Sequence, residues 1–406
     1  MVFALGVLLF ALGIALSIAL HEAGHMWVAQ ATGMKVRRYF IGFGPKIFSF
    51  RRGETEYGLK ALPLGGFCDI AGMTAIDELA PDEEDRAMYK KATWRRLVVM
   101  SGGIAMNFLL GLVLIYGLAV GWGLPNLDRP ETAVVGSLAC VSPTQGPGPD
   151  FALSECSGTG PAEQAGIRAG DTIVAVDGAE ADTFAEVAEK TRNSSGPHDF
   201  TVDRDGERLT LTVPVEQAER WVQDTPDSEP RMDTVGAIGI VAPPNVVEHS
   251  ALSAVPASFG FAGDMFTMTV ERLIQMPEKA VDLWQAVTGG ERDPETPVSV
   301  YGASVLGGEI AEQGIWEAFV LLLASLNFFL AIFNLLPLLP LDGGHMAVTV
   351  YEHIRNWFRK LKGLPRGAPV DYMKLLPVTY VFIVIGGAYM LLTLTADIVN
   401  PIKLFP

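Results

Sequence analysis

The chain has 406 residues, of which 49% are hydrophobic and only 19% charged, where soluble domains carry roughly 25% charged residues; an entirely soluble protein is excluded. Lys and Arg number 30 against 46 Asp and Glu, a net charge of −16, so nucleic acid is repelled and is not expected as a partner. The 3 cysteines show no CxxC spacing, which leaves any metal to be held mainly by histidines and carboxylates.

The apolar excess is concentrated. Residues 2–20, VFALGVLLFALGIALSIAL, carry no charge and are long enough to cross about 30 Å of hydrocarbon as a helix. No basic residue precedes this run and no small-x-small pattern follows it, so it reads as a span and not as a cleaved leader. The same test marks Leu97–Val120, Ile315–Leu339 and Leu375–Ile398. The expected division is 1–31 and 97–121 as the first two spans, 315–345 as the third and 375–400 as the fourth. Residues 32–96 hold 12 Lys and Arg with 9 Asp and Glu, and 346–374 hold 6 with 2, whereas 122–314 hold 11 with 31. Basic residues near span ends resist translocation, which makes the first two segments cytoplasmic and the acidic one exported.

Within the exported part, GPAEQAGIRAGDTIVAVDG (Gly160 to Gly178) reads as turns leading into a strand at Thr172–Val176. A helix capped by Thr183 follows, then two strands, Asp199–Asp203 and Leu209–Val215, joined across Asp205-Gly206. The AGIRAGD core resembles a PDZ domain of the bacterial protease-associated type. The domain is assigned 122–216, and such domains bind extended peptides by strand addition. Cys140 and Cys156 lie outside, where disulfides persist, and are expected to pair, leaving Cys68 free. Residues 217–234 read as a polar linker and Phe259–Met276 as an amphipathic helix on the membrane surface, so that 217–314 forms a linker and surface segment.

The chemistry is carried by His21-Glu22-Ala23-Gly24-His25 at the inner end of the first span. Positions i and i+4 share a helix face, so the two imidazoles can grip one zinc ion while Glu22 reaches a water at that metal. Ionisable residues at membrane depth are costly unless used. A catalytic zinc takes three protein ligands, and the third is sought in NLLPLLPLDGGH, Asn334 to His345, where two prolines and two glycines break the third span. Asp342 suits a site of two imidazoles and a carboxylate, with His345 as the competing ligand. His198, His249 and His353 read as loop or solvent-facing histidines.

Together with GFGP (Gly42 to Pro45) and PLGGF (Pro63 to Phe67), these motifs make the chain resemble the site-2 protease family of intramembrane zinc metalloproteases, and most closely its bacterial branch that cleaves anti-sigma factors. The resemblance covers nearly the whole chain, although one AGIxxGD core is visible where some members have two tandem PDZ domains. It implies a membrane α-helical protein of four transmembrane helices with an extracytoplasmic α/β PDZ-type domain between spans two and three, in the plasma membrane of a bacterium. It also implies His21, His25 and Asp342 as Zn²⁺ ligands, Glu22 as general base, and Asn334 as the group that binds the substrate backbone or the oxyanion. Gly58 to Gly72 resembles the family's re-entrant β-loop, with a turn-rich connector as the alternative. The implied partners are single-span membrane proteins already trimmed outside, a peptide or substrate segment at the PDZ groove, and the lipid bilayer. The rival readings are a membrane-anchored scaffold with a structural metal and a transporter, and the absence of an inverted repeat of the broken segment argues against the second.

Overall fold

A computed structural model describes residues 1–127, 132–146, 153–222, 231–243, 246–402 and 404. They divide into two compact units, Met1–Trp122 with His249–Phe405 and Gly123–Glu248.

In the first unit, helix α1 (Val2–Ala31) is 30 residues long, about 45 Å at 1.5 Å per residue. Its buried positions Gly6, Phe10, Ile14, Ser17 and His21 recur every three or four residues, while Leu5, Leu8, Leu12 and Leu16 are exposed. An outward leucine face suits a helix whose outer solvent is lipid, and Gly6, Ser17 and His21 give the inward stripe small and polar members beside Phe10 and Ile14. The chain then enters β1 (Val36–Arg52) and β2 (Thr55–Ile70), an antiparallel hairpin. Each strand folds back on the other: Arg38 pairs with both Glu56 and Asp69, and Phe40 with both Gly58 and Phe67. The bends fall at Gly42 and Gly65, whose φ values of 87° and 133° are open to glycine and strained for other residues. Residues 58–70 are therefore strand and not the turn-rich connector that the glycine count allows. Tyr39 donates from its hydroxyl to the Ala19 carbonyl at 2.7 Å, fastening the hairpin to α1, and burial pushes its phenol up to about 12. Helix α2 (Thr93–Gly121) returns alongside α1.

The second unit is built from β3 (Leu124–Pro125), β4 (Ser137–Leu138), α3 (Pro161–Gln164), β5 (Thr172–Val176), β6 (Ala179–Glu180), α4 (Phe184–Arg192), β7 (Gly196–Arg204), β8 (Glu207–Val222), β9 (Arg231–Ala237), β10 (Ile240–Val241) and β11 (Val246–Val247). Five strands form one antiparallel sheet in the order β6-β5-β7-β8-β9. Its core contains Ile173, Val187, Phe200, Val202 and Val213. The hairpin turn sits at Asp205-Gly206, both with positive φ, and Thr183 caps α4 by accepting from the Glu186 N–H. Cys140 and Cys156 are joined in a disulfide, and Cys68 is free. Asp171 of the AGIRAGD core is buried and accepts from Arg204 Nε and Nη2, each at 2.7 Å. The reading of 217–234 as a linker is corrected at 217–222 and 231–234, where β8 runs to Val222 and β9 starts at Arg231, with Glu216 opposite Ala237 and Val222 opposite Arg231; its middle, 223–230, lies outside the described residues. Backbone pairing holds this ribbon, and its mostly polar side chains hide the strand from a hydropathy reading.

The first unit resumes with α5 (Ala254–Val287), α6 (Val300–Glu312), α7 (Trp316–Asn334), α8 (Asp342–Leu361) and α9 (Leu376–Val399). Helix α5 extends past Met276 through Pro277. Residues 300–312, assigned to a surface segment, instead form α6 against α1, where Phe10, Ala303 and Ile310 share a core. Among the described residues, α1, α2, α7 and α9 are long and apolar enough to cross a membrane. A buried ion pair of Arg292 and Asp397, 2.6 Å apart, ties the segment before α6 to the last turns of α9, and Asp397 also accepts from the Ser299 N–H at 2.6 Å.

Candidate metal centre

The site forms where α1, α2 and the start of α8 meet. On α1, His21 and His25 lie one turn apart and turn their Nε2 atoms to within 3.2 Å of each other. Asp342 Oδ2 stands 3.1 Å from His21 Nε2 and 3.2 Å from His25 Nε2. Both histidines are buried, and the three residues form a metal-competent cluster. Tetrahedral zinc with bonds of about 2.0 Å separates its ligand atoms by about 3.3 Å, so the donor set and its spacing fit that ion.

Asp342 arrives from 317 residues beyond His25 because α7 ends at Asn334 and the chain turns through 335–341 before α8 begins. A Cβ on Gly343 would lie 2.3 Å from the carbonyl oxygens of Leu335 and Leu336, so only glycine lets the turn close on the helix start. Asp342 stands in the first turn of α8, where the positive end of the helix dipole favours a carboxylate. His345 is turned away: its ring stacks on Tyr372 at 5.6 Å, with Nδ1 3.3 Å from the tyrosine hydroxyl.

Helix α2 supplies the back wall through Val99, Gly103 and Asn107, spaced four apart on one face. His25 Nδ1 is 2.8 Å from the Val99 carbonyl and, as the donor there, leaves its Nε2 lone pair facing the cluster. A Cβ on Gly103 would fall 2.3 Å from His25 Nε2 and 2.8 Å from His21 Nε2. The helices also touch through Gly24 and Gly102, where a Cβ on Gly24 would meet the Gly102 carbonyl oxygen at 2.2 Å. Sequence reasoning passed over this wall; its one signal was Asn107, a polar residue within an apolar span.

Glu22, half-buried, lies beside the pair on α1. The last segment of β2 runs past it: a Cβ on Gly66 would be 3.1 Å from Glu22 Cγ. Asn334 ends α7 and donates from Nδ2 to the Leu330 carbonyl at 3.0 Å. The remaining histidines stand apart from the cluster. His198 Nδ1 is 2.6 Å from Asp177, which raises the imidazole above its ordinary range through that hydrogen bond; His353 is exposed, with Nδ1 3.3 Å from the Thr93 hydroxyl; and His249 is partly exposed. A second buried ion pair, Arg96 and Glu352 at 2.6 Å, links α2 to α8.

Membrane-crossing helices around two histidines and an aspartate set for zinc define the class of membrane-embedded zinc metalloproteases. The chain belongs to peptidase family M50, the site-2 proteases, whose sequence profile matches residues 9–376. It is 52% identical over 406 residues to the zinc metalloprotease Rip1 of Mycobacterium bovis, covering all of both chains. It is 51% identical over 411 residues to Rip1 of Mycolicibacterium smegmatis, again over both full lengths. A more distant relative, the chloroplastic membrane metalloprotease ARASP of Arabidopsis thaliana, is 28% identical over 346 residues, covering 84% of this chain and 69% of the relative.

Proposed function

We propose that the chain hydrolyses peptide bonds within the bilayer, in single-span membrane proteins such as anti-sigma factors, after their exported part has been trimmed. The observation that carries this reading is the meeting of three ligand atoms within 3.2 Å at the inner end of α1. His21, His25 and Asp342 hold the metal. Zinc, when bound, polarises the scissile carbonyl and makes a water acidic enough to attack near neutral pH. Glu22 takes the proton from the attacking water and delivers it to the leaving amide nitrogen, so no acyl-enzyme forms. Asn334 has a second N–H free of its helix bond, and this donates to the substrate backbone or the developing oxyanion.

A helical peptide bond is shielded from attack, so the substrate must unwind. The 66–70 segment of β2, running beside Glu22, offers a strand against which it can extend. The exposed Ile47 and Phe48 of the hairpin suit contact with lipid at this re-entrant loop. The second unit acts as a PDZ-type domain on the exported side, in keeping with its disulfide. Its groove of about 490 Å³ between α4 and the β9–β10 segment, lined by Phe184, Thr191, Arg192 and Ile238 among others, receives an extended peptide. The segments 32–96 and 346–374 face the cytoplasm of a bacterium whose plasma membrane holds the four spans.

The test is Glu22→Gln, expressed with a single-span reporter. Cleavage should fall by at least about 10²-fold while metal content measured by mass spectrometry stays at the wild-type level. Undiminished product would overturn the assignment of the general base.

A further inference from the structure

The back wall of the metal centre contains an unexplained polar group. Asn107 lies on α2, 1% exposed, with its carboxamide nitrogen 3.2 Å from His21 Nδ1. Its Oδ1 is buried and has no hydrogen-bond partner among the described residues. A buried amide oxygen without a partner costs about 1–3 kcal/mol in general, so such a group calls for a physical explanation.

The explanation follows from what His21 must do. Its Nε2 faces His25 and Asp342, so it can bind a metal only through a lone pair, and the ring proton must then sit on Nδ1. An Nδ1–H pointing at an amide NH₂ sets donor against donor. The two ends of a carboxamide are nearly equal in size, and a half-turn about the side chain exchanges them without moving another atom. After that exchange Oδ1 accepts from His21 Nδ1–H and is no longer orphaned, the opposed donors disappear, and the NH₂ group takes the position that Oδ1 vacates.

His25 is held in the same way from the same helix, by the Val99 carbonyl at 2.8 Å. Val99 and Asn107 are eight residues apart, just over two turns, with Gly103 between them leaving room for both rings. Helix α2 thus presents two acceptors at the spacing that the two imidazoles need.

We propose that Asn107 is a positioning residue for the metal centre: its side-chain oxygen accepts from His21 Nδ1–H and so fixes the tautomer and ring plane in which Nε2 binds zinc. This rests on the reading of His21, His25 and Asp342 as the ligands. In that arrangement the residue touches neither substrate nor reacting atoms and acts only through the histidine.

The test compares zinc affinity, by competition with a chromogenic chelator on purified full-length protein in detergent, for wild type, Asn107→Leu, Asn107→Asp and His21→Ala. Leucine matches the volume without an acceptor; aspartate restores one. The leucine variant should bind zinc about 10–100-fold more weakly, the usual effect of removing such an outer partner, while the aspartate variant binds as tightly as wild type or more so. Monodisperse elution and unchanged helical circular dichroism certify that each variant is folded. Wild-type affinity in Asn107→Leu, or equal weakening in the leucine and aspartate variants, overturns the proposal and leaves the ligand assignment standing. Wild-type protein that binds no zinc, or no more tightly than His21→Ala, overturns the ligand assignment and this proposal with it.

Discussion

The substitution Gly103→Ala tests the geometry of the metal centre with a single methyl group. Its Cβ would stand 2.3 Å from His25 Nε2 and 2.8 Å from His21 Nε2, whereas ordinary contact begins near 3.4 Å, so the His25 ring must retreat by about 1 Å. Metal sites tolerate ligand shifts of about 0.2 Å, and a 1 Å misplacement near a reacting centre costs about 10²-fold in rate. Overpacking one methyl group costs the fold itself only about 1–3 kcal/mol, so the helices survive while the centre does not. The variant should elute as a folded, detergent-solubilised protein, lose zinc at chelator concentrations that wild type withstands, and cleave a single-span reporter about 100-fold more slowly. Gly117→Ala, on the same helix but with nothing within 4 Å of the added Cβ, provides the control and should behave as wild type. If Gly103→Ala keeps both its zinc and its turnover, α2 does not confine the imidazoles and the back-wall account fails.

Other consequences can be measured directly. Asp342→Ala should lower bound zinc and abolish cleavage together, while His345→Ala should leave zinc content unchanged; full metal occupancy in Asp342→Ala would transfer the ligand role elsewhere. The Arg204 hydrogen bonds hold the Asp171 carboxyl below its usual range, so this contribution to stability is complete above the unfolded carboxylate range near pH 4 and is lost as pH falls through the lower folded value. Amide protection factors around Ile167–Val176, corrected for the intrinsic exchange rate at each pH, should therefore fall in acid, and Asp171→Asn should remove that pH dependence; an unchanged acid profile of protection in the variant would refute the assignment. Asp397→Ala strands the buried Arg292, and removing one partner of such a pair costs about 3–5 kcal/mol; chemical denaturation of the variant at wild-type midpoint would show that the clasp is not structural.

Much of the candidate centre could be read from the chain because it is local. His21 and His25 share a face by helix periodicity alone, the spans follow from uncharged length, and the hairpin at Asp205-Gly206 follows from turn chemistry. The break after Asn334 was legible for the same reason, since prolines and glycines dictate backbone conformation without help from distant contacts. The strand beyond Val215 was not legible: backbone pairing with β9 holds it, and its polar side chains carry little pattern.

What the tertiary structure alone decided are the meetings of residues far apart in the chain. Asp342, and not His345, comes to the imidazoles because Gly343 allows the 335–341 turn to close on α8 and aims one carboxylate inward. Val99, Gly103 and Asn107 become a wall only because Gly24 and Gly102 let two helices approach until their backbones touch. Arg292 and Asp397 likewise show their purpose only as a pair. Local patterns record which way a backbone turns and which face of an element is apolar. A hydrogen bond or ligand across hundreds of residues depends on how closely two helices can pack, which a glycine permits but no periodicity announces.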